Sequence, residues 1–262
     1  MDRFSTDIAF EDESMLKALT DGLDFVSDDP IDEFLGSTNC TEIIVSSLLM
    51  GLEMTDDNFQ KVLDKISENR ENTKLCKYLE FFDCRIDNNR LQKILDLVDE
   101  IGMKDLETIN FSRNQITRDG FLAIHKFIFS NHFGYLKEIC LAGNPIGDDG
   151  FNDVSHIIEV DMKDSRDFIH EQIELLQNQN INQKVNSINY SFIFDECSLT
   201  DKSIEGLFCF SALRKIQPSL HITFSLKSNL FSVIGKNQII DNFKQAGVDV
   251  FIDGSFHSSA LS

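Results

Sequence analysis

Apolar residues along this chain follow two alternating regimes. A short stretch with every second residue apolar gives way to a longer one with apolar residues three and four apart, and the pair of patterns then returns. The first regime puts successive side chains on opposite faces of a strand, and the second draws one apolar stripe along a helix. Inward strand positions are predicted at Leu79 and Phe81, Ile109 and Phe111, Ile139 and Leu141, and Phe192 and Phe194. Cys84, Asn114, Asn144 and Cys197 follow them in turn, with Leu52 in the matching place of a weaker first unit. An aliphatic anchor comes next: Met54, Ile86, Ile116, Ile146 and Leu199. Thr55, Asp87, Thr117, Gly147 and Thr200 then mark helix starts, most of them with a side-chain oxygen able to accept an orphan N–H of the first turn. The predicted stripes are Phe59, Val62, Leu63 and Ile66; Leu91, Ile94, Leu95 and Val98; Phe121, Ile124, Phe127 and Ile128; and Phe151, Val154, Ile157 and Ile158.

From Met54 to Ile146 neighbouring anchors lie about 30 residues apart, the long end of the leucine-rich-repeat range. The segments LEFFDCRIDNNRLQKIL, INFSRNQITRDGFLAI, ICLAGNPIGDDGFNDV and FIFDECSLTDKSIEGL carry the pattern, and two of them share Asn-x-Ile and Asp-Gly-Phe. This resembles the leucine-rich repeat of the ribonuclease-inhibitor type, over about Ser47 to Leu207, with Phe and Ile in place of many of the usual leucines. The resemblance implies an α/β solenoid, a horseshoe with parallel strands on its concave face and helices on its convex face. It also implies that the Asn or Cys side chain satisfies backbone groups in the loop after each strand. No single unit can bury its apolar face alone, so neighbours must supply the other half.

Three regions are expected. Residues 1–46 form an acidic N-terminal capping segment, crowded with EDES, DGLD and SDDPIDEF. Residues 47–207 hold the repeats, interrupted at about 159–187 by a helical insertion with Phe168, Ile169, Ile173, Leu175 and Leu176 on its apolar side. Residues 208–262 form a C-terminal capping repeat and tail, read as a strand, a less regular helix and a last strand.

Charge narrows the function. The 44 acidic against 24 basic side chains give a net charge of −20, which repels phosphate backbones and argues against nucleic acid. Apolar runs such as IIVSSLLMGL fall short of the roughly 20 residues a bilayer span needs. MDRFSTDIAFEDES has neither a basic nor an apolar signal region, so a cytoplasmic protein with its six cysteines reduced is expected. The QNQNINQKVNSIN stretch and the tail GSFHSSALS look like those of secreted effectors of intracellular bacteria, which would place the chain in host cytosol. Regulators of actin or ubiquitin machinery also use repeats of this kind.

Asp148-Asp149-Gly150 and Thr117-Arg118-Asp119-Gly120 lack the carboxylate ladder and closing Glu of a calcium loop and read as helix starts. The six histidines have no paired ligand spacing, and Cys140 has no base at a recognisable spacing. No catalytic residue, metal or cofactor is expected. Surface recognition remains. Counting alternation outward, the concave row is Leu48, Met50, Glu80, Phe82, Asp83, Asn110, Ser112, Arg113, Cys140, Ala142, Ile193, Asp195 and Glu196. Its apolar end at Met50 and Phe82, small polar centre and acidic end at Asp195 and Glu196 suit a protein partner with a basic patch, bound by a monomer.

Overall fold

Segments of alternating character become strands and the stretches between them helices. The computed structural model describes residues 31, 41–47, 51–128, 136–153, 188–208 and 220–259. Its strands are β1 (Glu42–Ser46), β2 (Tyr78–Phe82), β3 (Thr108–Asn110), β4 (Glu138–Cys140), β5 (Ile188–Ile193), β6 (Leu220–Ser225), β7 (Asp249–Ile252) and β8 (Ser255–His257). They form one eight-stranded sheet whose order across the sheet is the order in the chain. Every pairing from β1 to β7 is parallel, and β8 folds back antiparallel on β7. Helices α1 (Asp56–Glu68), α2 (Asn88–Ile101), α3 (Arg118–Phe127) and α4 (Val233–Ala246) connect strands, as do helical residues 147–153 and 204–208. The fold is thus α/β, with a mostly parallel sheet and helices.

The predicted inward strand residues are all buried, in one cluster with the first three helix stripes and Phe151, while Val154, Ile157 and Ile158 lie outside the described residues. Phenylalanine fills much of it: Phe81 and Phe111 stack at 6.1 Å, Phe192 and Phe224 at 5.2 Å, and Phe151 meets Phe194 edge-on at 4.9 Å. The five anchors Met54, Ile86, Ile116, Ile146 and Leu199 are buried beneath the loops that follow the strands.

Those loops carry backbone groups the sheet does not pair, and a side chain from the next unit pairs them. Asn114 Oδ1 accepts the N–H groups of Cys84 (2.9 Å) and Ile86 (3.0 Å), while its Nδ2 donates to the carbonyls of Phe81 and Phe111. Asn144 accepts from Ile116 N–H (3.0 Å) and donates to Phe111 and Leu141. The thiols of Cys84 and Cys197 donate to Val45 and Leu141 carbonyls in the corresponding places. Asn229 continues the series, accepting from Cys197 and Leu199 N–H and donating to Phe194 and Leu226. The alignment by sequence omitted Asn229, although Leu226-x-x-Asn229-x-Phe231 has the spacing of Phe111-x-x-Asn114-x-Ile116.

A second set of ties runs between helix starts. Asn88 receives Thr117 N–H and donates to its hydroxyl; Asp148 receives both from Thr200; Asp201 receives both from Ser232. Thr55, Asp87, Thr200 and Ser232 also cap their own first turns, whereas Thr117, engaged by Asn88, makes no side-chain cap.

Several expectations shift. The first strand is Glu42–Ser46, on the N-terminal side of the boundary expected at 46/47, with Val45 opposite Phe81. The loop to Met54 is accordingly longer than its counterpart after β2. The C-terminal helix α4 is regular, starting at Ser232 and stopping at Gly247, whose φ of 74° suits glycine. Leu48, Met50, the 159–187 insertion, Cys40, Cys209 and nearly all of the acidic N-terminal segment lie outside the described residues.

Candidate functional site

Side chains of β2 to β7 that do not point toward the helices line the other face of the sheet. Strand register sets Tyr78, Thr108, Glu138, Ser191, Thr223 and Asp249 in one row across it. Glu80, Asn110, Cys140, Ile193, Ser225 and Phe251 make the next, with Ile44 of β1 opposite Glu80. Most are half-buried, and among the described residues no helix covers them.

Of the expected site residues, four strand-face positions meet. Tyr78 hydroxyl donates to Glu80 Oε2 (2.5 Å), and Asn110 Nδ2 donates to the same oxygen (2.7 Å). Asn110 Oδ1 in turn accepts from Ser112 N–H (3.0 Å) and hydroxyl (2.5 Å), and Ser112 Oγ lies 2.9 Å from Cys140 Sγ. This chain of contacts fixes the rotamers of five side chains on three neighbouring strands. Burial pushes the Tyr78 and Cys140 acidities down, so both protons stay on at neutral pH. Cys140 is therefore no ready nucleophile.

Phe82 is half-buried, with the Arg113 guanidinium 5.7 Å above its ring. Asp83, Arg113 and Glu196 are exposed where the chain leaves each strand, at φ of 53°, 56° and 55°. At the Asp195 end the picture changes. Its Oδ1 accepts Lys227 N–H at 2.7 Å and its carboxylate is half-buried, which raises its pKa against the pull of that bond and one from Ser225. Asp195 is thus a structural acceptor for the next strand's exit as well as part of the face. Asp249 is likewise answered, by His221 at 3.2 Å and by Ser259 N–H at 2.5 Å. Met50 lies outside the described residues.

Alternation counting missed several members of the face. Phe251 meets Phe256 in a tilted ring pair at 4.5 Å, with Lys227 Nζ 5.8 Å above the Phe251 ring, giving a second aromatic and cation pair at the far end from Phe82. Glu138 lies between Thr108 and Ser191, and burial alone raises its pKa. Tyr78, Glu138, Lys227 and Phe251 were all legible as outward positions once the register of β2, β4, β6 and β7 is known.

No family model matches the chain, and no curated protein matches it. Among the described residues no helix is long and apolar enough to cross a membrane.

Proposed function

We propose that the chain is a leucine-rich-repeat solenoid of the ribonuclease-inhibitor-like type, a horseshoe acting as a non-catalytic adaptor or inhibitor that binds a partner protein through its inner face. The observation that carries this is the face of the sheet that no helix covers among the described residues, bearing aromatic and cation pairs at Phe82 with Arg113 and at Phe251 with Lys227. Strand order equal to chain order, and an Asn or Cys tying each loop to the next unit, support the solenoid. Rigid aromatic and Arg groups held on a scaffold of strands are the usual anchors of protein interfaces. Preorganisation by the Tyr78–Glu80–Asn110–Ser112 contacts lowers the ordering cost of binding.

Affinity capture from a eukaryotic lysate with wild type and with the Phe82→Ala, Phe251→Ala double variant, compared by quantitative mass spectrometry, tests it. Specific partners should drop about tenfold or more with the variant, the loss of two anchors. Partners retained in full by a correctly folded variant would move the interface off this face.

A further inference from the structure

We propose that the inner face is a docking surface for a basic protein segment, with a lysine or arginine of that segment over Glu138 and apolar contacts on Phe82 at one end and Phe251 with Phe256 at the other. This rests on the inner-face interface proposed above and adds the chemistry of its occupant.

The acids of the face differ in how they are answered. Glu80 accepts from Tyr78 and Asn110, Asp195 from Lys227 N–H and Asp249 from Ser259 N–H, with His221 Nε2 3.2 Å from the Asp249 carboxylate. Glu138 is half-buried in the middle of the sheet, and among the described residues its carboxylate has no hydrogen bond or ion pair. A carboxylate partly removed from water and given no donor is destabilised until a cation reaches it. Glu80 accepts from the Tyr78 hydroxyl, and Glu138 stands two strands from Tyr78 in the same row of the sheet.

The remaining charges agree. Asp83 and Glu196 are exposed along the strand exits, and Glu42 lies at the β1 edge. The two cations of the face, Arg113 and Lys227, are each seated over a ring, Phe82 and Phe251, at opposite ends. The centre is thus acidic and the ends are aromatic. Five strand steps from β2 to β7 at about 4.8 Å span roughly 24 Å, the length of about seven extended residues. A partner segment of that length, basic at its middle and apolar toward its ends, matches the face in charge and size.

The test uses the full chain and a fluorescent peptide with two central arginines flanked by two leucines on each side, followed by anisotropy at low and moderate salt. Glu138→Gln, which keeps the shape and removes the charge, should weaken binding about tenfold, as removing one partner of a desolvated charge pair does. Asp57→Asn with Asp241→Asn, on exposed helix surface, removes more charge and should change it less than twofold. Amide exchange protection by the peptide should fall on Tyr78–Phe82 and Glu138–Cys140. Protection there with Glu138→Gln binding like wild type overturns the basic occupant and leaves the inner face standing as an interface. Protection elsewhere, equal loss with the helix variants, or no binding overturns the proposal, and protection confined to the helices counts against the inner face as well.

Discussion

Replacing Asn114 with alanine removes the acceptor for two buried donors, the N–H groups of Cys84 and Ile86, and the donor to the carbonyls of Phe81, Phe111 and Ser112. Asn114 is itself 5% exposed, so water cannot readily take its place. A buried N–H left unpaired costs about 1–3 kcal/mol, and two of them, softened by loop relaxation, set a loss of about 3–4 kcal/mol. In a chain of this size that is a fall in Tm of about 10 °C. Asn114→Cys should lose roughly half as much. A thiol already donates to strand carbonyls at Cys84 and Cys197, and in the loop before Cys197 the anchor N–H of Ile146 is met by Asn144 carbonyl instead. Thermal and urea unfolding followed by circular dichroism measure both variants. An alanine variant within about 2 °C of wild type would refute the idea that this side chain closes the Cys84–Ile86 loop.

Two further outcomes follow from single residues. Gly206→Ala would set a Cβ 2.4 Å from the Phe151 carbonyl oxygen, a backbone atom with little room to move, and should lower the urea midpoint by the equivalent of about 1–3 kcal/mol; an unchanged midpoint would mean the two helical segments stand further apart. Burial pushes the His125 pKa from 6.5 down to about 4, so the folded state resists a proton that the unfolded state accepts. The stability tied to neutral His125 is complete above pH 6.5 and is lost as pH falls to 4, by about 3 kcal/mol at most. The gap in unfolding free energy between wild type and His125→Leu should therefore shift by that order across the window in favour of the variant, and a pH-independent gap would show that His125 takes up its proton equally well in the folded and unfolded states.

Much of the fold was legible because its signals are local. Leu79 and Phe81, Ile109 and Phe111, and Phe192 and Phe194 alternate within single strands, and a helix stripe follows each of the first two, so burial follows from spacing alone. The first strand was misplaced because IIVSSLLM is apolar on both sides of Ser46 and Ser47, with no Gly or Pro to punctuate it. The last unit was obscured for a different reason. Val233 and Ile234 begin α4 at 75% and 79% exposure, where the matching starts hold Asp56 and Asp57, Asn88 and Asn89, and Arg118 and Asp119. Apolar residues in an exposed first turn blur the helical stripe that Ile239 and Phe243 alone must carry.

The candidate face was legible only as a set of directions. Alternation placed Glu80, Phe82, Asn110 and Ser112 outward; the first three are half-buried, and Ser112, bonded to Asn110, is buried. It could not foresee that Asp195 would be taken up by Lys227 N–H, 32 residues on, or that Phe251 and Phe256 would pair. Those contacts depend on cross-strand register, which no window of one strand contains.

Asn114, Asn144 and Asn229 each tie off a loop 28 to 35 residues back, besides donating to carbonyls two and three residues before them in their own loop. The direction of that debt gives the molecule a birth order. As the chain emerges from a ribosome at about 5–20 residues per second, the loop at Cys84–Ile86 stays unfinished for a few seconds until Asn114 arrives, and the loop at Cys197–Leu199 waits in the same way for Asn229. The growing end is therefore always one unit short of complete, exposing the apolar flank of the newest strand and helix to chaperones or to a neighbouring nascent chain. Slow codons placed about one unit beyond each loop would lengthen that exposure, and the yield of native protein would fall without any change in sequence.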